Sequence, residues 1–122
     1  TIVYPQENYA PESFYDTIVK NKSVGLHTLC LLDIQAERGR MMTIKEALQI
    51  LQGIEQRRGK KLLFNGAKLV GLCGLGGENE LIAAGRAARL LDFAFEGFPQ
   101  SLIVCGELTE KEVEAMKALC ES

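Results

Sequence analysis

Gly25-Leu-His-Thr-Leu-Cys-Leu-Leu-Asp-Ile34 is the stretch on which the fold turns. Eight residues without formal charge at neutral pH run straight into Asp33, between the basic segment Lys20–Lys22 and the charged loop Glu37–Arg40. A run this short cannot cross a bilayer, which takes roughly 20 apolar residues. Its turn-like flanks predict a strand over 26–33, buried on both faces of a sheet. Asp33 then falls at the strand's carboxyl end, where open α/β sheets bind their ligands.

Working outward, residues 2–4 predict a short strand closed by Pro5. Pro11 suits the first turn of a helix running to about Lys22, with Phe14, Ile18 and Val19 inward, and Gly25 ends it. Thr43-Ile-Lys-Glu46 is a capping-box pattern, in which hydroxyl and carboxylate each satisfy a free backbone N–H. Ala47, Leu48, Leu51 and Ile54 then recur at helical spacing up to Gly59, with Arg57 and Arg58 in the last turn, where the helix dipole favours cations.

Leu69–Leu75 predicts a further strand, and Gly76-Gly77 a turn into a helix near 79–92. Ser101–Cys105 is a compact apolar strand ending at Gly106. A second capping box, Thr109-Glu-Lys-Glu112, opens a last helix with Val113, Met116 and Leu119 or Cys120 inward. The β-α-β-α-β-α-β-α alternation implies an α/β sandwich with helices packed on the sheet.

The chain's 122 residues make one domain that buries about two-thirds of its unfolded surface. Charged residues at 25% and apolar residues at 47% are ordinary for a globular protein. A formal charge of −2 gives no general pull toward nucleic acid or an anionic membrane. Thr1-Ile-Val-Tyr-Pro5 has neither an initiator Met nor a basic signal-peptide region, so the chain reads as a fragment. Cys30, Cys73 and Cys105 lie in apolar runs, Cys120 follows Leu119, and no C-x-x-C occurs. Buried free thiols in a reducing cytoplasm, rather than disulfides or a metal site, are the expectation.

Candidate chemistry is sparse. Leu75-Gly-Gly77 matches neither the dinucleotide nor the P-loop spacing, and Glu78 and Glu80 would repel a phosphate there. It is either a turn that needs glycine or a close backbone approach to an uncharged part of a ligand. His27, the single histidine, has no obvious orienting carboxylate in its neighbourhood and reads first as a structural, hydrogen-bonded residue. Asp33 could hold a ligand amine or cap the next loop. Gln56-Arg-Arg-Gly-Lys-Lys61 is a solvated helix end, or else a docking patch. No nucleophile–base pair, paired carboxylates or metal cluster stands out.

Five stretches, in this order, resemble the diphthine synthases, S-adenosylmethionine-dependent methyltransferases of diphthamide biosynthesis. They are Tyr4-Pro5, Pro11 with Ser13-Phe14-Tyr15-Asp16, Gly25–Ile34, Met42-Thr43 with Glu46-Ala47, and Leu102-Ile-Val-x-Gly106. The resemblance implies the C-terminal half of a two-domain, tetrapyrrole methylase-like fold, with the cofactor in the cleft between halves. Its sheet is a mixed one of about four to five strands packed with helices. Leu32 is similar to the family's cofactor-contacting leucine, Leu75 stands where a residue lines the adenosine pocket, and Gln100 stands where related sequences can carry a histidine. The Gly74-Leu-Gly-Gly77 loop departs from the Arg-Ala-Gly-Ser-like turn expected there.

The implied reaction is methyl transfer from S-adenosylmethionine to the amino group of a modified histidine on translation elongation factor 2. A cytoplasmic homodimer, inactive as this half alone, is implied with it. Alignment supplies much of the barrier reduction in such a displacement, which suits a chain without an acid–base constellation. Two alternatives are a precorrin-type tetrapyrrole methyltransferase domain and a non-catalytic dimerisation or ligand-binding domain.

Overall fold

The computed structural model describes residues 1–6, 10–74, 78 and 80–121, with side chains through residue 118. In chain order the elements are α1 (Ser13–Ser23), β1 (Thr28–Leu31), β2 (Ile34–Gln35), β3 (Arg40–Met41), α2 (Ile44–Arg58), β4 (Leu69–Cys73), β5 (Leu81–Gly85), α3 (Ala87–Asp92), β6 (Gln100–Val104) and α4 (Glu110–Glu121). Four strands form one sheet in the order β1-β6-β4-β5, antiparallel at every pairing. A small hairpin, β2 against β3, stands apart from it. The one parallel pairing among the described residues is the bridge of Ile2 to Leu32, closed by Ile2 N–H to Leu31 O at 2.8 Å and Asp33 N–H to Ile2 O at 3.0 Å.

Strand register sorts the side chains into two faces. Cys30 lies opposite Leu102, which lies opposite Gly71, and Gly71 opposite Ala83. This face packs on Ile18 of α1, Ile44, Leu48 and Leu51 of α2 and Leu90 of α3, the main core. A Cβ on Gly71 would collide with the Phe95 ring, so the centre of the sheet accepts no side chain there. On the other face Val70 and Ala84 meet Met116 of α4, with Leu72, Ile82 and Ile103 around them.

Helix α2 forms as its sequence predicts. Thr43 Oγ1 accepts from Glu46 N–H at 3.1 Å while Glu46 Oε1 accepts from Thr43 N–H at 3.1 Å, and Gly59 closes the helix in the left-handed region. Such a cap stabilises a helix by about 1 kcal/mol. Thr109 and Glu112 repeat the arrangement at α4.

Four expectations are corrected. The central run is not buried on both faces: β1 is an edge strand, and Leu29 and Leu31 remain 58% and 56% exposed. Helix α4 covers the second face over β4 and β5, and no described element covers it over β1. The predicted 79–92 helix is a strand followed by a short helix. Hairpin pairing with β4 overrides the helix propensity of Ala83 and Ala84, whose small side chains fit a fully covered strand. Strands β4 and β5 are therefore adjacent, and the strict β-α alternation fails. Val113 of α4 is 37% exposed rather than inward.

Candidate functional site

The uncovered face of β1 forms the wall of an open groove of about 690 Å³. Leu29 and Leu31 of β1, Ile103 and Ser101 of β6 and Leu72 of β4 make its floor. Leu32, Asp33 and Ile34 line one end, with Pro99 and Gln100 also lining it. Its size is in the range of small-molecule sites, and its aliphatic lining with a few polar groups is typical of them. Half-exposed leucines gain about 1 kcal/mol each when covered.

The expected site residues fare differently. Leu32 and Gln100 come together in this groove, although 68 positions separate them in sequence (100 − 32). Leu32 is 7% exposed, and its position is set by the parallel bridge to Ile2. Gln100 is 5% exposed, and its amide is engaged internally. Oε1 accepts from the Ile44 N–H at 2.8 Å, and Nε2 donates to Phe95 O and Gly97 O, both at 3.1 Å. It thus ties the first residue of α2 and the 95–97 loop to the start of β6. Leu75, with Gly76 and Gly77, lies outside the described residues; the 74–80 connection that holds them joins two strands of a hairpin, not a strand and a helix.

Asp33 follows Leu32 at the groove's edge, where its Oδ2 accepts from Tyr4 N–H at 3.2 Å. Behind it, the Tyr4 hydroxyl donates to Glu46 Oε1 at 3.0 Å, and the Arg40 guanidinium lies 3.8 Å above the Tyr4 ring and 3.3 Å from Glu46 Oε2. Burial works against the Glu46 charge. The Thr43 N–H, the Tyr4 hydroxyl and Arg40 together outweigh it and hold Glu46 below the usual carboxylate range. Burial and the facing Glu46 push the Tyr4 hydroxyl upward, so it stays a donor.

The comparisons with known proteins now bear on this arrangement. The chain is 39% identical over 122 residues to a diphthine synthase of Methanococcus aeolicus, covering 100% of this chain and 48% of the relative. It is 36% identical over 124 residues to the diphthine synthase of Methanocaldococcus jannaschii, at the same coverages. The chain is similar over its whole length to the diphthine synthases. The chain spans about half the length of the curated relatives it matches. No protein-family model matches it.

Solved structures support the fold. An Entamoeba histolytica protein provisionally named a diphthine synthase superposes with a TM-score of 0.90 at 23% identity, over 98% of this chain and 48% of that one. A second diphthine synthase crystal structure gives a TM-score of 0.77 at 20% identity, over 98% and 43%.

The remaining candidates are structural in their contacts. His27 Nδ1 accepts from the Gly106 N–H at 2.8 Å, so Nε2 bears the proton and faces Glu112 Oε2 at 2.8 Å. An orienting carboxylate therefore exists, contrary to the sequence expectation; it lies 85 positions away on another element, beyond the reach of local patterning. The Thr109 N–H and His27 hold Glu112 below its ordinary range.

Half of the basic run is absorbed by helix docking. Arg57 pairs with Glu12, and Arg58 with Glu12 and Asp16, which ties α2 to α1. Burial pushes the Cys30 thiol up to about 11, so it is a neutral core side chain. Cys73 and Cys105 are likewise free and buried. No group that could hold a metal occurs among the described residues.

Proposed function

We propose that this chain is the C-terminal domain of a diphthine synthase, transferring a methyl group from S-adenosylmethionine to the modified histidine of translation elongation factor 2. The observation that carries the reading is the aliphatic groove at Leu32, in a chain similar over its whole length to diphthine synthases. The lining fits the cofactor: a volume of about 690 Å³ walled by Leu29, Leu31, Leu72 and Ile103 offers dispersion contacts and excludes water beside an adenosine or thioether group. When bound, S-adenosylmethionine supplies an electrophilic methyl on a sulfonium.

In this reading Leu32 supplies an apolar contact to the cofactor, and Leu75 another. Gln100 contributes through the chain it holds in place. With its amide engaged by Ile44, Phe95 and Gly97, it fixes the end of β6 against α2 while the groove forms above. The other half of the relatives' length covers the open side of the groove, and the full protein is a homodimer acting in the cytoplasm. Among the described residues no helix is long and apolar enough to cross a membrane.

The test uses the native gene product at full length, with labelled S-adenosylmethionine and elongation factor 2 carrying the unmethylated diphthamide precursor. Transfer to that substrate, absent on unmodified factor and absent for the chain alone, is expected. Cofactor binding without transfer would favour a precorrin-type relative. Loss of cofactor binding altogether would favour a non-catalytic domain.

A further inference from the structure

We infer that Asp33 receives the attacking amine of the substrate, an inference that rests on the methyltransferase reading above. Asp33 is the one ionisable side chain among the described residues that line the groove. It sits next to Leu32 at the end where β1 gives way to the β2–β3 hairpin. None of the ion pairs among the described residues involves it. Thr1 lines the groove as well, but its amino group makes no ion pair with Asp33. A carboxylate beside aliphatic walls without an ion-pair partner favours a ligand group that is a hydrogen-bond donor and gains positive charge.

A purely structural role accounts for only part of this geometry. The Tyr4 N–H occupies one acceptor position of Oδ2 and orients the group. A carboxylate has about four such positions. The other acidic side chain nearby, Glu46, is fully engaged by Tyr4, Thr43 and Arg40 and does not line the groove. Gln100 is engaged as well, by three backbone groups. Asp33 is left as the one carboxylate that lines the space, with the Ser101 hydroxyl as another side-chain acceptor not engaged elsewhere among the described residues.

An amine that donates one N–H to Asp33 keeps its lone pair free to point along the groove. As that lone pair forms the new N–C bond, the S–C pair departs to sulfur and the nitrogen becomes cationic. Asp33 stabilises this charge at hydrogen-bond distance, and one N–H proton passes through the carboxylate to water.

The experiment compares full-length wild type with D33N, whose amide still accepts from the Tyr4 N–H but carries no charge. For elongation factor 2 bearing the precursor amine, kcat/KM should fall about a hundredfold. Affinity for S-adenosylhomocysteine by calorimetry and the thermal midpoint should both stay at wild-type values, and D33E should recover part of the loss. Turnover in D33N equal to wild type would overturn the inference. So would a loss of cofactor affinity in step with turnover, which would set Asp33 against the cofactor instead. A D33N enzyme melting well below wild type would assign the effect to the Tyr4 clamp and overturn it too. Wild type that fails to methylate at all would strike the underlying reading, not Asp33 alone.

Discussion

The Tyr15 hydroxyl donates to Glu55 Oε2 at 2.6 Å, in the buried seam between α1 and α2. Glu55 is 3% exposed, and its carboxylate also accepts the N–H groups of Leu62, Leu63 and Phe64. A buried charge is thus fully partnered, and it folds the loop after α2 back onto the helix. Removing one donor leaves three, so Y15F should cost about 1–2 kcal/mol in chemical denaturation. E55L orphans three amides and the hydroxyl at once and should cost about 3 kcal/mol or more.

The same pair sets an alkaline limit. Burial, then the facing Glu55, raise the Tyr15 ionisation above its usual value of 10.0. A raised folded value means that the stabilisation is complete below pH 10 and is lost as pH rises beyond it. Wild type should therefore lose stability from about pH 10 upward more steeply than Y15F. Equal slopes for the two proteins would contradict the assignment.

Glu46 sets the acid limb in the opposite sense. Its folded value lies below the usual 4.5 because the Thr43 N–H, the Tyr4 hydroxyl and Arg40 outweigh burial. A depressed value gives stability that is present above about 4.5 and lost as pH falls through the folded value. E46Q still caps α2 through its amide, so its stability at neutral pH should drop by less than about 1 kcal/mol. Its acid limb should be shallower than that of wild type in urea midpoints measured from pH 6 down to pH 3.

His27 offers a spectroscopic check on the β1 entrance. Its Nδ1 accepts from Gly106, and a Cβ on Gly106 would collide with Leu26 O, so the two chain segments lie in direct backbone contact. Nitrogen-15 spectra of the imidazole should show the proton on Nε2 and Nδ1 as the acceptor. The other tautomer would contradict the Gly106 hydrogen bond. G106A should destabilise by about 2 kcal/mol, since neither backbone segment can yield cheaply.

What the sequence disclosed follows from the range of the forces involved. Capping at Thr43 and Thr109, the α2 periodicity and the Gly59 stop are local, and each formed as its pattern predicts. Only the family resemblance named Leu32 and Gln100 together, and the groove they line is not legible in the sequence because its walls come from three strands far apart in the chain. Leu81–Gly85 was misassigned to a helix because its strand identity depends on pairing with β4, which no local pattern encodes. Glu55, and the pairing of the capping residue Glu112 with His27, are not legible for the same reason: the partners lie on other elements, or on the loop beyond α2. An unbroken apolar run implies burial of Leu29 and Leu31, whereas no described element covers them.

That distinction yields the sharpest mutational contrast. Leu32 belongs to the main core, so L32A should cost the chain about 2–4 kcal/mol before any effect on ligand is felt. A charged replacement at Leu32 would confound folding with binding. Leu31 lines the same groove at 56% exposure and is free of that problem. L31D should leave the thermal midpoint of the isolated chain within about 2 °C of wild type, as surface substitutions do. On the proposed reading, in which the rest of the full-length protein covers the groove, it places a charge against an apolar surface and should weaken cofactor affinity by at least about tenfold, read by calorimetry. Loss of stability in the isolated L31D chain would mean that the face is already packed. Unchanged affinity in the full-length variant would mean that the groove is not where the cofactor lies.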